Sequence, residues 1–230
     1  TYMNEYINND RVVLGIEPDE SGNFAIDIPV FEPVFATLRL GRQQLPLFLS
    51  PGAELGISLD ALNPSETIVF SGKGANPNDF LHAWQRELET VAGDGVIYER
   101  MITANPNAFA AFIDSITHVK TAFLHTWNKD RLLDDDFRNL IELRIRYEGL
   151  QKLLEYPAIY MRANQLTEES IPDTYYDFLQ TADVFDDSNL TSPSYVNFLM
   201  TYLGYFAKRH QIATKEDENP NTHQYRLAGL

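Results

Sequence analysis

The chain changes its hydrophobic period once, at residues 69–81 (Val-Phe-Ser-Gly-Lys-Gly-Ala-Asn-Pro-Asn-Asp-Phe-Leu). Before this stretch apolar residues recur at every second position; after it they recur at threes and fours, so strands must give way to helices there. Gly72 and Gly74 supply the backbone freedom for a sharp change of direction. Asn78 or Asp79 is placed to cap the helix that follows. The pattern predicts an α+β chain: an N-terminal antiparallel β-sandwich-like domain over residues 1–74, an all-helical domain over 75–212, and a polar tail or linker over 213–230. Gly72, Gly74 and Asn78 form the seam between the first two.

The strand half reads as about six short segments. Residues 1–10 are polar and suit a lead-in or a first edge strand. Val12, Leu14 and Ile16 share one face. Residues 18–23 (Pro-Asp-Glu-Ser-Gly-Asn) form a turn cluster, and Phe24, Ile26, Ile28 and Val30 then alternate as in a half-buried strand. Val34, Ala36, Leu38 and Leu40 repeat the pattern, and so do Leu45, Leu47 and Leu49, then Leu55, Ile57 and Leu59, and finally Ile68 and Phe70. The links, such as Gly41-Arg42 and Pro51-Gly52, are too short for parallel crossovers, so neighbours must be antiparallel. Pro29 and Pro46 fall inside strands, which places those strands at edges or bulges.

The helical half opens with a helix over residues 78–91 that stops at Gly93, followed by a short helix through Met101. Asn105-Pro106 starts a long helix with a stripe at Phe109, Phe112, Ile116, Val119, Phe123 and Trp127. Asp134-Asp135-Asp136 opens the next, with acids at the positive end of the helix dipole. Its inner face is Leu140, Leu143, Tyr147, Leu150 and Leu154, its outer face carries the pairs Glu142–Arg146 and Arg144–Glu148, and Pro157 is expected to kink or end it. Ile171-Pro172-Asp173 starts a short helix with Tyr175, Phe178, Leu179 and Ala182 inward. Ser192-Pro193 starts the last, with Tyr195, Phe198, Leu199, Tyr202 and Phe206 inward.

Composition excludes several classes of function. A net charge of −15 argues against nucleic acid and against anionic membrane surfaces, which need a basic footprint. No run approaches the ~20 apolar residues of a membrane span. With no cysteine, the chain has no disulfide, no thiol nucleophile and no Cys-ligated metal. It starts at Thr1 rather than Met, as expected of a trimmed or mature form.

Few residues suggest chemistry. Asp114, His118 and His125 lie near one helix face, but the two histidines are two turns apart, about 10 Å, too far to share a metal; a surface ion pair of Asp114 with His118 is the simpler reading. His82, His210 and His223 have no evident partner in sequence. Residues 183–189 (Asp-Val-Phe-Asp-Asp-Ser-Asn) resemble a calcium loop only at their start, since Ser188 and Ser194 stand where an EF-hand needs Gly and Glu. The lysine of Gly72-Lys73-Gly74 is not followed by Ser or Thr, so the stretch is a turn rather than a phosphate loop. Asn189-Leu190-Thr191 matches the glycosylation sequon. Tyrosines crowd the second half; most at helical spacing belong to a core, while Tyr156, Tyr160, Tyr175, Tyr176 and Tyr205 are the candidates for an interaction surface. No catalytic residue, cofactor site or metal site is expected.

Ser21-Gly22-Asn23-Phe24, residues 48–55 (Phe-Leu-Ser-Pro-Gly-Ala-Glu-Leu), residues 70–75 (Phe-Ser-Gly-Lys-Gly-Ala), then Asn78 and Leu81, resemble the N-terminal region of Bacteroidetes secreted or lipid-anchored thioredoxin-like proteins of the TlpA type. Ile171-Pro172-Asp173, Tyr176-Asp177-Phe178-Leu179, Ser194-Tyr195 and Phe198-Leu199 are similar to that family's helical segment. The resemblance implies a small β domain and a helical segment ahead of a thioredoxin fold, in the periplasm or cell envelope. The family's redox work is done by a Cys-x-x-Cys motif in the thioredoxin domain, and this chain has no cysteine, so no catalytic residue carries over. The chain is then either a fragment that stops before the redox domain or a relative without one. The expected role is a non-catalytic accessory module that positions or dimerises an attached redox domain or docks its protein client, with no nucleic acid partner and no membrane insertion. Two rivals remain open: a carbohydrate- or peptide-binding module, and a hydrolase using Asp and His residues gathered by the fold.

Overall fold

The computed structural model describes residues 2–3, 11–210, 214–215 and 226–227. The chain is a mixed α+β protein with small antiparallel sheets and long helices. Strands β1 (Tyr2–Met3), β2 (Arg11–Val12), β3 (Val34–Leu40) and β4 (Gln43–Leu49) form one sheet in the order β2-β1-β3-β4. β5 (Leu55–Ser58) and β6 (Val69–Gly72) form a second, with the helical turn α1 (Pro64–Thr67) between them. The helices are α2 (Ala75–Ala92), α3 (Asp94–Thr103), α4 (Pro106–Asp130), α5 (Asp135–Asn164) and α6 (Pro193–Arg209). Three short 3₁₀ segments, Glu168–Ser170, Asp173–Gln180 and Asp187–Thr191, lie between α5 and α6. The polar tail expected over 213–230 lies outside the described residues except for β7 (Thr214–Lys215) and β8 (Arg226–Leu227), which pair antiparallel.

The chain divides into two compact units, Thr1–Val96 with Val119–Glu142, and Ile97–His118 with Leu143–Leu230. Helix α2 belongs to the same unit as the strands, so the change of period at residues 72–75 is a change of secondary structure within one unit. The long helices α4 and α5 each run from one unit into the other.

In the first unit β3 and β4 pair in full register from Val34↔Leu49 to Leu40↔Gln43, and Pro46 sits in β4, the edge strand, where its missing N–H costs no ladder bond. Leu45 and Leu47 of β4 share an apolar cluster with Ile68 and with Phe70 of β6. The strand expected over residues 24–30 does not form, and that expected around residues 12–16 is reduced to Arg11–Val12. The turn between them does form: Asp19 N–H donates to the Asn23 carbonyl, and the Asp19 carboxylate accepts from Ser21 and Asn23 N–H. Alternation alone does not make a strand without a neighbour to pair with, and Phe24 and Ile26 stay exposed.

Helix α2 buries Phe80, Leu81, Trp84, Leu88 and Ala92, a face with the helical period. Phe48 of β4 meets Phe137 of α5 edge-on at 4.7 Å, and Phe137 meets Phe80 of α2 at 5.4 Å. Trp127 of α4 closes the group against Phe80 at 5.6 Å. These edge-to-face contacts place ring hydrogens on the negative faces of neighbouring rings.

The expected stripe on α4 is displaced by about one residue: the buried line runs through Phe109, Ile113, Ile116, Lys120 and Leu124, while Val119 is exposed. Lys120 fits that line because its ammonium lies 5.8 Å over the Trp84 ring. Helix α5 buries two faces, one through Phe137, Ile141 and Ile145 and one through Tyr147 and Leu154. The second face packs with Val184, Tyr195 and Phe198 in the core of the second unit. Arg144 pairs with Glu148 at 2.7 Å as the spacing predicts, but Glu142 lies 3.8 Å from Arg138 and Arg146 turns to Asp183 at 3.8 Å. Pro157 neither ends nor breaks α5, which continues seven residues further to Asn164.

Candidate functional site

Of the seam residues, Gly72 is held by the backbone and Asn78 by a strand. Gly72 has φ +82°, and a Cβ there would collide with the Glu54 carbonyl oxygen across the β5–β6 ladder. Gly74 has φ −93°, and a Cβ would meet Leu55 at an ordinary 3.5 Å. Gly74 is itself the N-cap of α2, without a side-chain cap, so neither Asn78 nor Asp79 caps the helix.

Asn78 lies inside the first turns of α2, fully buried, and faces β4. Its Oδ1 accepts from Phe48 N–H at 2.8 Å, and its Nδ2 donates to the Phe48 carbonyl at 2.9 Å and to the Gly74 carbonyl at 2.8 Å. The side-chain amide thus stands where the peptide group of a next strand would stand, and it closes the open edge of β4. Asn76, two residues earlier, accepts from Trp127 Nε1 at 3.2 Å and donates to the Leu132 carbonyl at 2.8 Å. Sequence reasoning missed Asn76; its nearness to Asn78, two residues along a strand-to-helix turn, is the only trace of it.

The five tyrosines separate into inner and outer sets. Tyr156 is fully buried, stacked on Phe109 at 4.4 Å, and its hydroxyl donates to the Ala104 carbonyl at 2.7 Å. Tyr175 is buried and donates to the Leu153 carbonyl at 3.0 Å. Tyr160, half-buried, stacks on Tyr156 at 5.1 Å. Tyr156 and Tyr175 are therefore core, not surface. Tyr176 and Tyr205 are half-buried and stack on each other at 4.9 Å, with the Arg209 guanidinium 5.8 Å over Tyr176 and bonded to Asp173 at 3.0 Å. Burial pushes both phenols up, and the smaller pull of Arg209 does not reverse it, so they are neutral donors at neutral pH.

An aromatic ridge continues from this pair along α6. Tyr202 lies 6.1 Å from Phe206, and Phe206 lies 4.2 Å from His210. Phe185, 81% exposed, stands edge-on to Tyr202 at 6.3 Å. The sequence placed Phe206 inward, but the ridge follows the i, i+4 line from buried Phe198 out to the surface, and Phe206 is 39% exposed. Phe185 was not singled out; the signal for it is a lone phenylalanine among Asp183, Asp186 and Asp187.

Asp114, His118 and His125 are exposed along α4. Burial, aided by Arg86, pushes the His82 imidazole down. His223 lies outside the described residues. Asp186 accepts from the Ser188 hydroxyl at 2.6 Å, from Ser188 N–H at 3.0 Å and from Asn189 Nδ2 at 3.2 Å, which makes the acidic loop a capped turn and holds its carboxyl below the usual range. Asn189 is buried and also donates to the Tyr147 hydroxyl at 3.1 Å, so the sequon nitrogen faces the core and not a glycan. Among the described residues no group of three or more His, Asp or Glu is placed to hold a metal, and no helix is long and apolar enough to cross a membrane. Comparison with protein-family models, with curated proteins and with solved structures found no match.

Proposed function

We propose that the chain is a non-catalytic accessory region of a cell-envelope thioredoxin-like protein, one that positions or dimerises the redox domain. The observation that carries this reading is the attachment of α2 to the strands. Asn78 takes both backbone groups of Phe48, and the Phe80 ring is packed against Phe137, which in turn meets Phe48. A helix fixed to a sheet edge in this way suits a stiff mount for an attached domain. The turn and packing residues at 48–55 and 70–75 that resemble the thioredoxin-like family lie at this same attachment.

On this reading the β part is a small sandwich, a view supported by the apolar layer that Leu45 and Leu47 share with Ile68 and Phe70. The partner is a C-terminal thioredoxin-like domain or its protein client, and Tyr176 and Tyr205 belong to the face that meets it. A second reading, a carbohydrate- or peptide-binding module of the envelope, draws on exposed Phe185 beside Tyr202. Reading the gene past the codon for Leu230 separates the two. A Cys-x-x-Cys within a βαβ pattern is the expected result. A stop codon overturns the first reading and leaves the second.

A further inference from the structure

Pro157 stands inside α5, four residues after Leu153. It has no N–H, so the Leu153 carbonyl loses its helical partner. Leu153 and Pro157 are both buried, and water is a poor substitute there. The missing donor comes from another segment: the Tyr175 hydroxyl donates to the Leu153 carbonyl at 3.0 Å. Tyr175 belongs to the 3₁₀ segment Asp173–Gln180, and its ring packs at 5.4 Å on Tyr156, the residue before the proline. Beyond the proline, Asn164 donates to the Ile102 carbonyl at 2.9 Å, and before it Tyr156 donates to the Ala104 carbonyl at 2.7 Å. The outer side of the segment is tied to the last turn of α6 by Glu168 with Lys208 and by Asp173 with Arg209 at 3.0 Å.

We propose that residues 168–180 form a latch on α5. Closed, Tyr175 completes the helix across Pro157 and α5 stays continuous to Asn164. Open, the Leu153 carbonyl is orphaned, α5 bends at Pro157, and the turns over 158–164 loosen. The outer ties are exposed ion pairs, which are weak and screened by salt, whereas the inner face is held by buried Ile171 and Tyr175 and by Phe178 and Leu179 against the core of the second unit. High ionic strength therefore loosens the outer side first, and full opening must also lift that inner face.

Hydrogen exchange on the whole chain tests this. Tyr175→Phe keeps the ring and removes only the hydroxyl; exchange over 158–164 and 173–180 should speed by about fivefold or more, with 137–150 unchanged. Pro157→Ala restores the N–H that Leu153 lacks. Added to Tyr175→Phe, it should return 158–164 to the wild-type rate while 173–180 remains fast. An even rise across the whole chain, no change at 158–164, or no restoration by Pro157→Ala overturns the latch.

Discussion

Gly72 and Gly74 show how two glycines a residue apart carry different loads. The left-handed φ of Gly72 and the Glu54 carbonyl facing it forbid a side chain on two independent grounds. Gly72→Ala should cost at least ~2 kcal/mol of stability in urea unfolding. Gly74→Ala, which adds a methyl at ordinary contact distance at an N-cap, should cost less than ~1 kcal/mol. Equal losses for the two would remove Gly72 from its place at the end of β6. Adjacent tyrosines diverge in the same way: Tyr175 points inward to mend α5, while Tyr176, the next residue, reaches the surface and stacks on Tyr205. A one-residue step on a 3₁₀ turn rotates the side chain by about 120°, so their opposite fates follow from geometry alone.

At the scale of elements, Asn78 couples α2 to β4 through buried hydrogen bonds to both backbone groups of Phe48. Asn78→Ala leaves the Phe48 N–H and C=O without their partner in a buried place and takes a second donor from the Gly74 C=O, and should cost ~3 kcal/mol or more. Asn78→Asp keeps the acceptor but loses the donor and buries a charge, so it should be no milder at neutral pH. A urea midpoint within error of wild type for Asn78→Ala would show that α2 is held by its rings alone. This role was not legible in the sequence, where Asn78 reads as a cap, because it depends on which strand edge lies opposite. Local signals were legible: Asn105 Oδ1 accepts from Ala108 N–H at 3.0 Å, Asp134 Oδ1 from Phe137 N–H at 2.8 Å, and the Ser192 hydroxyl from Tyr195 N–H, each at the helix start its type predicts. The segment 24–30 shows the converse. Its alternation is as clean as that of β3, but pairing depends on a distant neighbour, and no local pattern records whether one is there. Half-buried Tyr176 and Tyr205 could not be told from buried Tyr156 and Tyr175 in the sequence, since helical spacing does not say which side of a 3₁₀ turn meets the core.

The whole molecule answers to alkaline pH through its tyrosines. Burial raises the phenols of Tyr147, Tyr156, Tyr175, Tyr176 and Tyr205 above their ordinary value, and in each case desolvation of the phenolate is the largest cause. Each therefore ionises more readily in the unfolded chain than in the folded one. Their stabilising contribution is complete below the unfolded value of ~10 and is lost as pH rises through the higher folded values. All five lie in the unit that contains Leu143–Leu230, so that unit should be the first to fail. Thermal melts should hold a steady Tm up to about pH 9.5 and fall progressively above it. Absorbance at about 295 nm, which reads phenolate and not ammonium, separates these groups from lysines titrating nearby. In the folded chain Tyr147, Tyr156, Tyr175, Tyr176 and Tyr205 should ionise only as the unit opens. A single titration of all tyrosines near pH ~10 with Tm unchanged would mean that these phenols are in water, and would overturn the buried aromatic core from which α5, the latch and the α6 ridge are built.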